Sequence, residues 1–167
     1  LVVNSGASGT LDDAKYYSWL AVIKENADQY KKDGSYEIDN IQGKKMSFVS
    51  NSSTSGFKVP TSSIVSHFSS EDKWKNLTAD DLMEGGSDKF FSEVMYGGSH
   101  QGSAVNLLTN KSDVAAFCDT VLVNYVDAQD GEFNGVGTTY KVKDDAAEPF
   151  NTLKGKEFVA IASTPVL

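Results

Sequence analysis

Arginine is absent: all 15 basic residues are lysine. The planar guanidinium fork that many proteins use to grip phosphate is therefore excluded within this chain. Any oxyanion site has to be built from backbone N–H groups, hydroxyls, histidine or lysine. Cysteine is nearly absent as well. Cys118 stands alone, which excludes an internal disulfide and a cysteine metal cluster. Its place after Val114-Ala115-Ala116-Phe117 reads as a small buried hydrophobe. No apolar run is long enough to span a bilayer, and no signal-peptide or lipidation motif occurs. Metal-ligand spacings, a P-loop and a dinucleotide glycine fingerprint are missing too, so no metal and no cofactor is expected. Positive charge is in deficit, with 15 basic against 23 acidic residues, a net charge of -8 and a pI ≈ 4.7. That argues against a nucleic-acid backbone or an anionic membrane surface as partner.

What is present fits one soluble domain. The chain has 167 residues, 40% hydrophobic and 23% charged, enough for one core and too few for two ordinary domains. It opens Leu1-Val2-Val3 without methionine and closes Thr164-Pro165-Val166-Leu167, and both ends read as the interior of a longer chain.

Asn4 to Thr10 is small and polar, a loop by composition. Tyr16 to Ile23 is aromatic and β-branched and predicts a strand. Lys24 to Ser35 is charged and stays open between helix and loop. Met46 to Ser50 predicts a strand, Asn51 to Ser55 a hydroxyl-rich loop, and Gly56 to Phe68 a helix. Pro60 is tolerable there only in the first turn, which puts the helix start near Ser53 to Gly56. After a polar stretch holding one short helix at Ala79 to Met83, Lys89 to Tyr96 predicts a strand. Ser99 to Thr109 then predicts a helix capped by Ser99. Asp113 to Phe117 reads as a strand and Asp119 to Val126 as a helix. Gly135 to Val142 and Glu157 to Ala162 read as strands. Strand and helix alternate three times between Met46 and Val126, which points to an α/β architecture with a mainly parallel sheet covered by helices. In such sheets ligands bind beyond the carboxyl ends of the strands.

Three constellations fall at those ends. Ser53-Thr54-Ser55-Gly56 lies between a strand and a helix. The first helical turn has N–H groups without internal partners, the helix dipole adds partial positive charge, and hydroxyls supply adjustable donors. Gly56 would let an oxyanion approach the backbone. The ordinary reading of the same residues is as helix-capping serines. Gly97-Gly98-Ser99-His100 repeats the arrangement, with His100 as a donor or as a structural histidine. His67, at the far end of its helix, reads as surface or structural. Asp119 follows a strand; its ordinary role is an N-cap, its functional one to accept a hydrogen bond from a protonated ligand oxygen or an ammonium group. An enzymatic reading is weaker, because Gly97-Gly98-Ser99-His100-Gln101 lacks the last glycine of a nucleophile elbow.

Met46 to Pro60 (MSFVSNSSTSGFKVP) resembles the ligand-loop signature of the phosphate/phosphite/phosphonate-binding proteins of ABC transporters, a strand running into Ser-Thr-Ser-Gly with a proline four residues after the glycine. Ile41-Gln42-Gly43-Lys44 resembles the element before that strand. Gly98-Ser99-His100 resembles the family's Ser-His turn, and Asn110 to Ala116 its Gly-x-x-Asp-Ala-Ala segment, with Asn110 in place of the glycine. The motifs keep the family's order from about Tyr16 to Pro165.

The resemblance implies one lobe of a class II periplasmic-binding-protein fold, a mixed, mostly parallel central sheet flanked by helices. Residues 1–23 would be the incoming hinge segment, 24–156 the second ligand-binding lobe, and 157–167 the returning hinge segment. It implies a non-enzymatic, extracytoplasmic protein, periplasmic or lipid-anchored. Such a protein binds a phosphonate, phosphite or phosphate between two lobes and delivers it to a membrane permease, the first lobe lying elsewhere in the parent chain. Ser53, Thr54, Ser55 and Gly56 would hold the oxyanion, Ser99 and His100 would donate to it, and Tyr16 would reach it from the hinge. Asp119 would face the amine of an aminophosphonate. Three other readings stay open: a lobe of the same fold for another small solute, a hydrolase using Ser99 or Ser53, and a structural or adhesive extracellular domain.

Overall fold

A computed structural model describes residues 16–166; the loop expected at Asn4 to Thr10 and most of the incoming segment lie outside the described residues. Strand β1 (Tyr16–Ile23) occupies its expected span, and a 3-10 turn over Lys24–Tyr30 follows it. The hairpin β2 (Lys31–Lys32) and β3 (Ser35–Tyr36) precedes β4 (Lys45–Phe48). Helix α1 (Val59–Phe68) leads on to β5 (Glu93–Tyr96), α2 (His100–Leu108), β6 (Val114–Cys118) and the short α3 (Asp119–Leu122). The chain closes with β7 (Val126–Asp130), β8 (Thr139–Val142) and β9 (Glu157–Val166).

Seven strands form one sheet in the order β5-β4-β6-β1-β9-β8-β7. The mainly parallel character holds only in the β5-β4-β6 part, where β4 runs parallel to both neighbours. The other four pairings, β6-β1, β1-β9, β9-β8 and β8-β7, are antiparallel, so the sheet is mixed. The reason lies in the connections. Parallel neighbours need a helical crossover, which α1 and α2 supply, whereas β7 and β8 are joined by a short loop that permits only a hairpin.

Side chains alternate across the sheet and make two cores. Leu20, Val22, Met46, Phe48, Val114 and Ala116 pack with Ile64 and Phe68 of α1 on one face. Trp19, Ala21, Ala115 and Phe117 pack with Leu107, Leu108 and Leu122 of α2 and α3 on the other. Cys118 is buried and free, as its apolar run predicts.

Three expected elements differ. The strand over Lys89 to Tyr96 begins only at Glu93. Phe90 and Phe91 both bury in the same core, and a regular strand sends consecutive side chains to opposite faces. The helix expected over Asp119 to Val126 ends at Leu122, because Val126 is drawn into pairing with Val142. Gly135 to Thr138 is a turn before β8, with Gly137 at φ 86.

Candidate ligand-binding site

The carboxyl ends of β4, β5 and β6 share one edge of the sheet. Because β1 is antiparallel to β6, with Ser18 opposite Cys118, its first residues join that edge. Residues 164–166 arrive beside them, with Tyr16 opposite Val166. Connections from the adjacent strands β4 and β6 leave on opposite faces through α1 and α3, the arrangement that opens a crevice between loops. All eight predicted site residues lie along this edge: Tyr16, Ser53, Thr54, Ser55, Gly56, Ser99, His100 and Asp119.

The loop after β4 is built tightly. Ser53 caps the helix, its Oγ accepting from the Gly56 N–H at 3.0 Å. The first turn, Thr54–Lys58, is wide: the Lys58 N–H donates to Ser53 O and the Val59 N–H to Thr54 O, five residues back each time. The Thr54 and Ser55 N–H groups precede any intrahelical carbonyl and are the donors a helix start leaves over. Thr54 is exposed, Ser53 half-buried, and Ser55 and Gly56 are buried. Gly56 has a packing reason independent of any ligand, since an added Cβ would lie 2.3 Å from Val49 Cγ2.

The β5-α2 turn is laced to this loop. The Gly97 N–H donates to Phe48 O at 2.8 Å and the Gly98 N–H to Val49 O at 2.9 Å. Ser99 caps α2 as expected, accepting from the Gly102 N–H at 2.9 Å. Below it, Ser103 Oγ donates to Ala116 O at 2.8 Å and lies 3.2 Å from Ser47 Oγ, and Asn106 donates to the same Ser47 hydroxyl at 3.1 Å. Helix α2 is thereby pinned across both β4 and β6.

His100 reaches the end of β6, where its Nδ1 accepts the Cys118 N–H at 2.9 Å. An accepting Nδ1 carries no proton, so the neutral ring holds its proton on Nε2 and can donate from there. Burial pushes the ring below its ordinary pKa of 6.5. The folded chain thus binds this proton less readily than the unfolded chain, and the His100 contribution to stability is full above about pH 6.5 and falls as pH drops through the folded pKa. A comparison of urea midpoints at pH 7 and pH 5 is expected to show a larger acid loss in the wild type than in His100→Asn. Equal losses would mean that Nδ1 does not accept the Cys118 N–H in solution, contrary to this geometry.

Asp119 is buried, but Cys118 rather than Asp119 is the N-cap of α3, and no side chain caps that turn. Asp119 Oδ1 instead accepts the Tyr17 N–H at 2.8 Å, extending the β1-β6 pairing by a side-chain bond. One carboxylate oxygen is committed to the strand end, leaving Oδ2 for any amine. Tyr16 is half-buried at the start of β1. Ser18, unnoticed in the sequence, is buried and donates to Ser55 O at 2.6 Å. Its only signal is a small polar residue inside an otherwise apolar strand.

A hydrolytic pairing is not assembled: Ser99 Oγ bonds to Gly102 and His100 Nδ1 to Cys118, not to each other. Among the described residues no group of three or more His, Cys, Asp or Glu side chains is placed to hold a metal. A cavity of ≈ 770 Å³ opens at the opposite edge, lined by Lys32, Asp33, Glu37, Asp39, His67 and Glu71 among others. Its four carboxylates outnumber its cations and repel an oxyanion, so volume is no guide to the site. His67 there pairs with Asp39, in keeping with a structural role.

Residues 1–166 match the model of the family described as "ABC transporter, phosphonate, periplasmic substrate-binding protein". The chain belongs to that family. No curated protein sequence matches it. Among solved structures it is similar to a binding protein component of an ABC phosphonate transporter from Pseudomonas aeruginosa, with 21% identity and a TM-score of 0.47. That match covers 72% of this chain and 33% of the other, so the chain spans about a third of that relative's length. The family is one of transport components rather than enzymes. No helix among the described residues is long and apolar enough to cross a membrane.

Proposed function

We propose that this chain is the second lobe of a solute-binding protein that captures a small phosphorus oxyanion outside the cytoplasm and delivers it to an ABC permease. The observation that carries the proposal is the meeting of two helix starts and one neutral, fixed imidazole at a single sheet edge. Thr54 and Ser55 offer N–H groups from one helix start, His100 and Gln101 from the other, and His100 adds its Nε2–H. Neutral dipoles held in place bind an anion without a counter-charge, which suits a chain with no arginine. The net charge of -8 then mainly slows association, screened within about 8 Å at physiological salt.

In this reading β1 and β9 are the incoming and returning hinge segments, and they leave the sheet side by side at the ligand edge. The first lobe, in the remainder of the parent chain, closes over the anion. The hydroxyls of Ser53 and Ser99 accept from their helices and still carry a proton to donate outward. Tyr16 contacts ligand from the hinge, and Asp119 Oδ2 receives an ammonium group when the ligand has one.

The test is calorimetric titration of phosphate, phosphite, methylphosphonate and aminoethylphosphonate into the full-length protein. One of them is expected to bind tightly. Replacing His100 by Ala removes a donor to a charged oxygen, about 1.5–3 kcal/mol, so affinity should fall about 10- to 150-fold. A folded, ligand-free protein that binds none of the four would refute the phosphorus assignment.

A further inference from the structure

We infer that Ser18 is a positioning residue of the anion loop, holding the Ser55-Gly56 peptide so that the Thr54 and Ser55 N–H groups face the ligand edge. The inference rests on the oxyanion reading above and extends it to a residue of the strand that enters the lobe.

Pro60 interrupts the bonding of this turn. In the wide turn after β4, each carbonyl receives an N–H from five residues on: Ser53 O from Lys58 and Thr54 O from Val59. The next carbonyl in that series is Ser55 O, and its partner would be residue 60. Proline has no N–H to give. Gly56 O meets the same proline at the four-residue spacing of the α-helix that follows. One imino acid thus removes the helical partners of two successive carbonyls.

Both are supplied from outside the helix. The Val49 N–H donates to Gly56 O at 3.1 Å, closing the loop on the end of its own strand. The Ser18 hydroxyl donates to Ser55 O at 2.6 Å, across from β1. Ser18 is 4% exposed, so water does not readily replace it. A buried carbonyl without a donor is costly, and here no local N–H is within the helical pattern to rescue it.

The consequence is geometric. In a trans peptide the C=O and N–H point in opposite directions from one rigid plane. The Ser55-Gly56 plane is held at its oxygen by Ser18 Oγ and at its nitrogen by Ser53 Oγ, 3.0 Å from the Gly56 N. With both ends fixed the plane cannot rotate, and the N–H groups just before it keep their direction. The adjacent residue of β1 is tied as well, through the Tyr17 N–H to Asp119. The first residues of β1 therefore grip the loops after both β4 and β6, and a displacement of this strand end is transmitted to the peptide planes that face the anion.

The test compares Ser18→Thr with Ser18→Val in the full-length protein. The two side chains have the same shape, so packing costs cancel and the hydroxyl is the difference. Two quantities are read: the affinities for inorganic phosphate and methylphosphonate by calorimetry, and the hydrogen-exchange rate of the Gly56 amide relative to amides of β6. The Thr variant is expected to bind about five- to tenfold more tightly than the Val variant, the scale of one hydrogen bond. The Gly56 amide should exchange faster in Val alone, with β6 unchanged. A general structural role would speed β6 as well, and that result overturns the inference. So do equal affinities with equal Gly56 exchange. Should the wild type bind neither anion, the oxyanion reading falls, while Gly56 exchange still decides whether Ser18 holds the loop.

Discussion

Trp19→Ala is expected to give the largest stability loss of any single truncation in this chain. Trp19 is 0% exposed and sits at the centre of an aromatic cluster, stacked on Tyr140 at 4.5 Å between ring centres. Phe133 and Phe117 meet it edge-on at 5.5 and 6.1 Å. Truncation leaves a cavity that these rigid rings cannot refill, at a cost of about 3–5 kcal/mol, or roughly 6–20 °C in unfolding temperature for a domain of this size. The indole also donates to Asn134 Oδ1 at 3.0 Å, and the Asn134 N–H donates to the Tyr140 hydroxyl at 2.9 Å. Asn134 holds φ 70, a left-handed conformation uncommon for non-glycine residues and best tolerated by asparagine. Trp19→Phe keeps most of the apolar area but loses the donor. It should cost about 1–2 kcal/mol and loosen residues 131–137 more than the sheet. Thermal unfolding with hydrogen exchange reads both. A Trp19→Ala midpoint within two or so degrees of wild type would contradict the packing described.

Gly102→Ala is expected to destabilise the protein and to weaken ligand binding, although helix propensity alone predicts the opposite sign. Within a helix, alanine is favoured over glycine by about 1 kcal/mol. Here the added Cβ would lie 2.2 Å from Gly97 O and 3.1 Å from Ser99 Oγ. Gly97 is constrained reciprocally, since a Cβ there would lie 2.3 Å from the Ser103 N. The obstacle is backbone on both sides, so α2 has to move away from the β5 turn. Overpacking of this kind costs about 1–3 kcal/mol. The movement also pulls His100 from the Cys118 N–H, so affinity should drop further than a stability change alone explains. Urea unfolding together with anion titration would show it; a stabilised variant with normal affinity would mean that the contact between Gly97 and Gly102 is not the constraint.

The two glycines show where the sequence was informative and where it was not. Gly97-Gly98 was readable as a turn, and Ser99 as a cap, because both are local rules of chain conformation. Gly102, one residue in nine of a regular helix, carries no local signal. Its necessity comes from residue 97 on the other side of a turn. Likewise Pro60 was readable as a first-turn proline, but the carbonyls it leaves unpaired, and their repair by Val49 and Ser18, appear only when β1 lies beside the loop.

Asp119 was placed correctly at a strand end and given the wrong structural partner. An acidic residue at a helix start reads as a cap. Its carboxylate turned instead to the Tyr17 N–H, because β1 overhangs β6 there and would otherwise end in an unpaired donor. Phe90 and Phe91 read as strand residues until the core on one face claimed both. β7 was not legible at all: four of its five residues are exposed, so it has no buried face to produce an alternating pattern.

By itself the sequence determined the α/β alternation, the hydroxyl-rich and diglycine turns, the absence of arginine and the family, because these reside in residue type and short spacing. Tertiary structure alone decided that the two turns are hydrogen-bonded to one another, that the sheet is parallel only where helices cross over, and that His100 is neutral with its proton on Nε2. It also decided that β1 is hydrogen-bonded to the loop after β4 through Ser18 and Ser55. Each of these depends on which distant strand lies alongside, and long-range pairing is set by the joint packing of both cores rather than by any local preference.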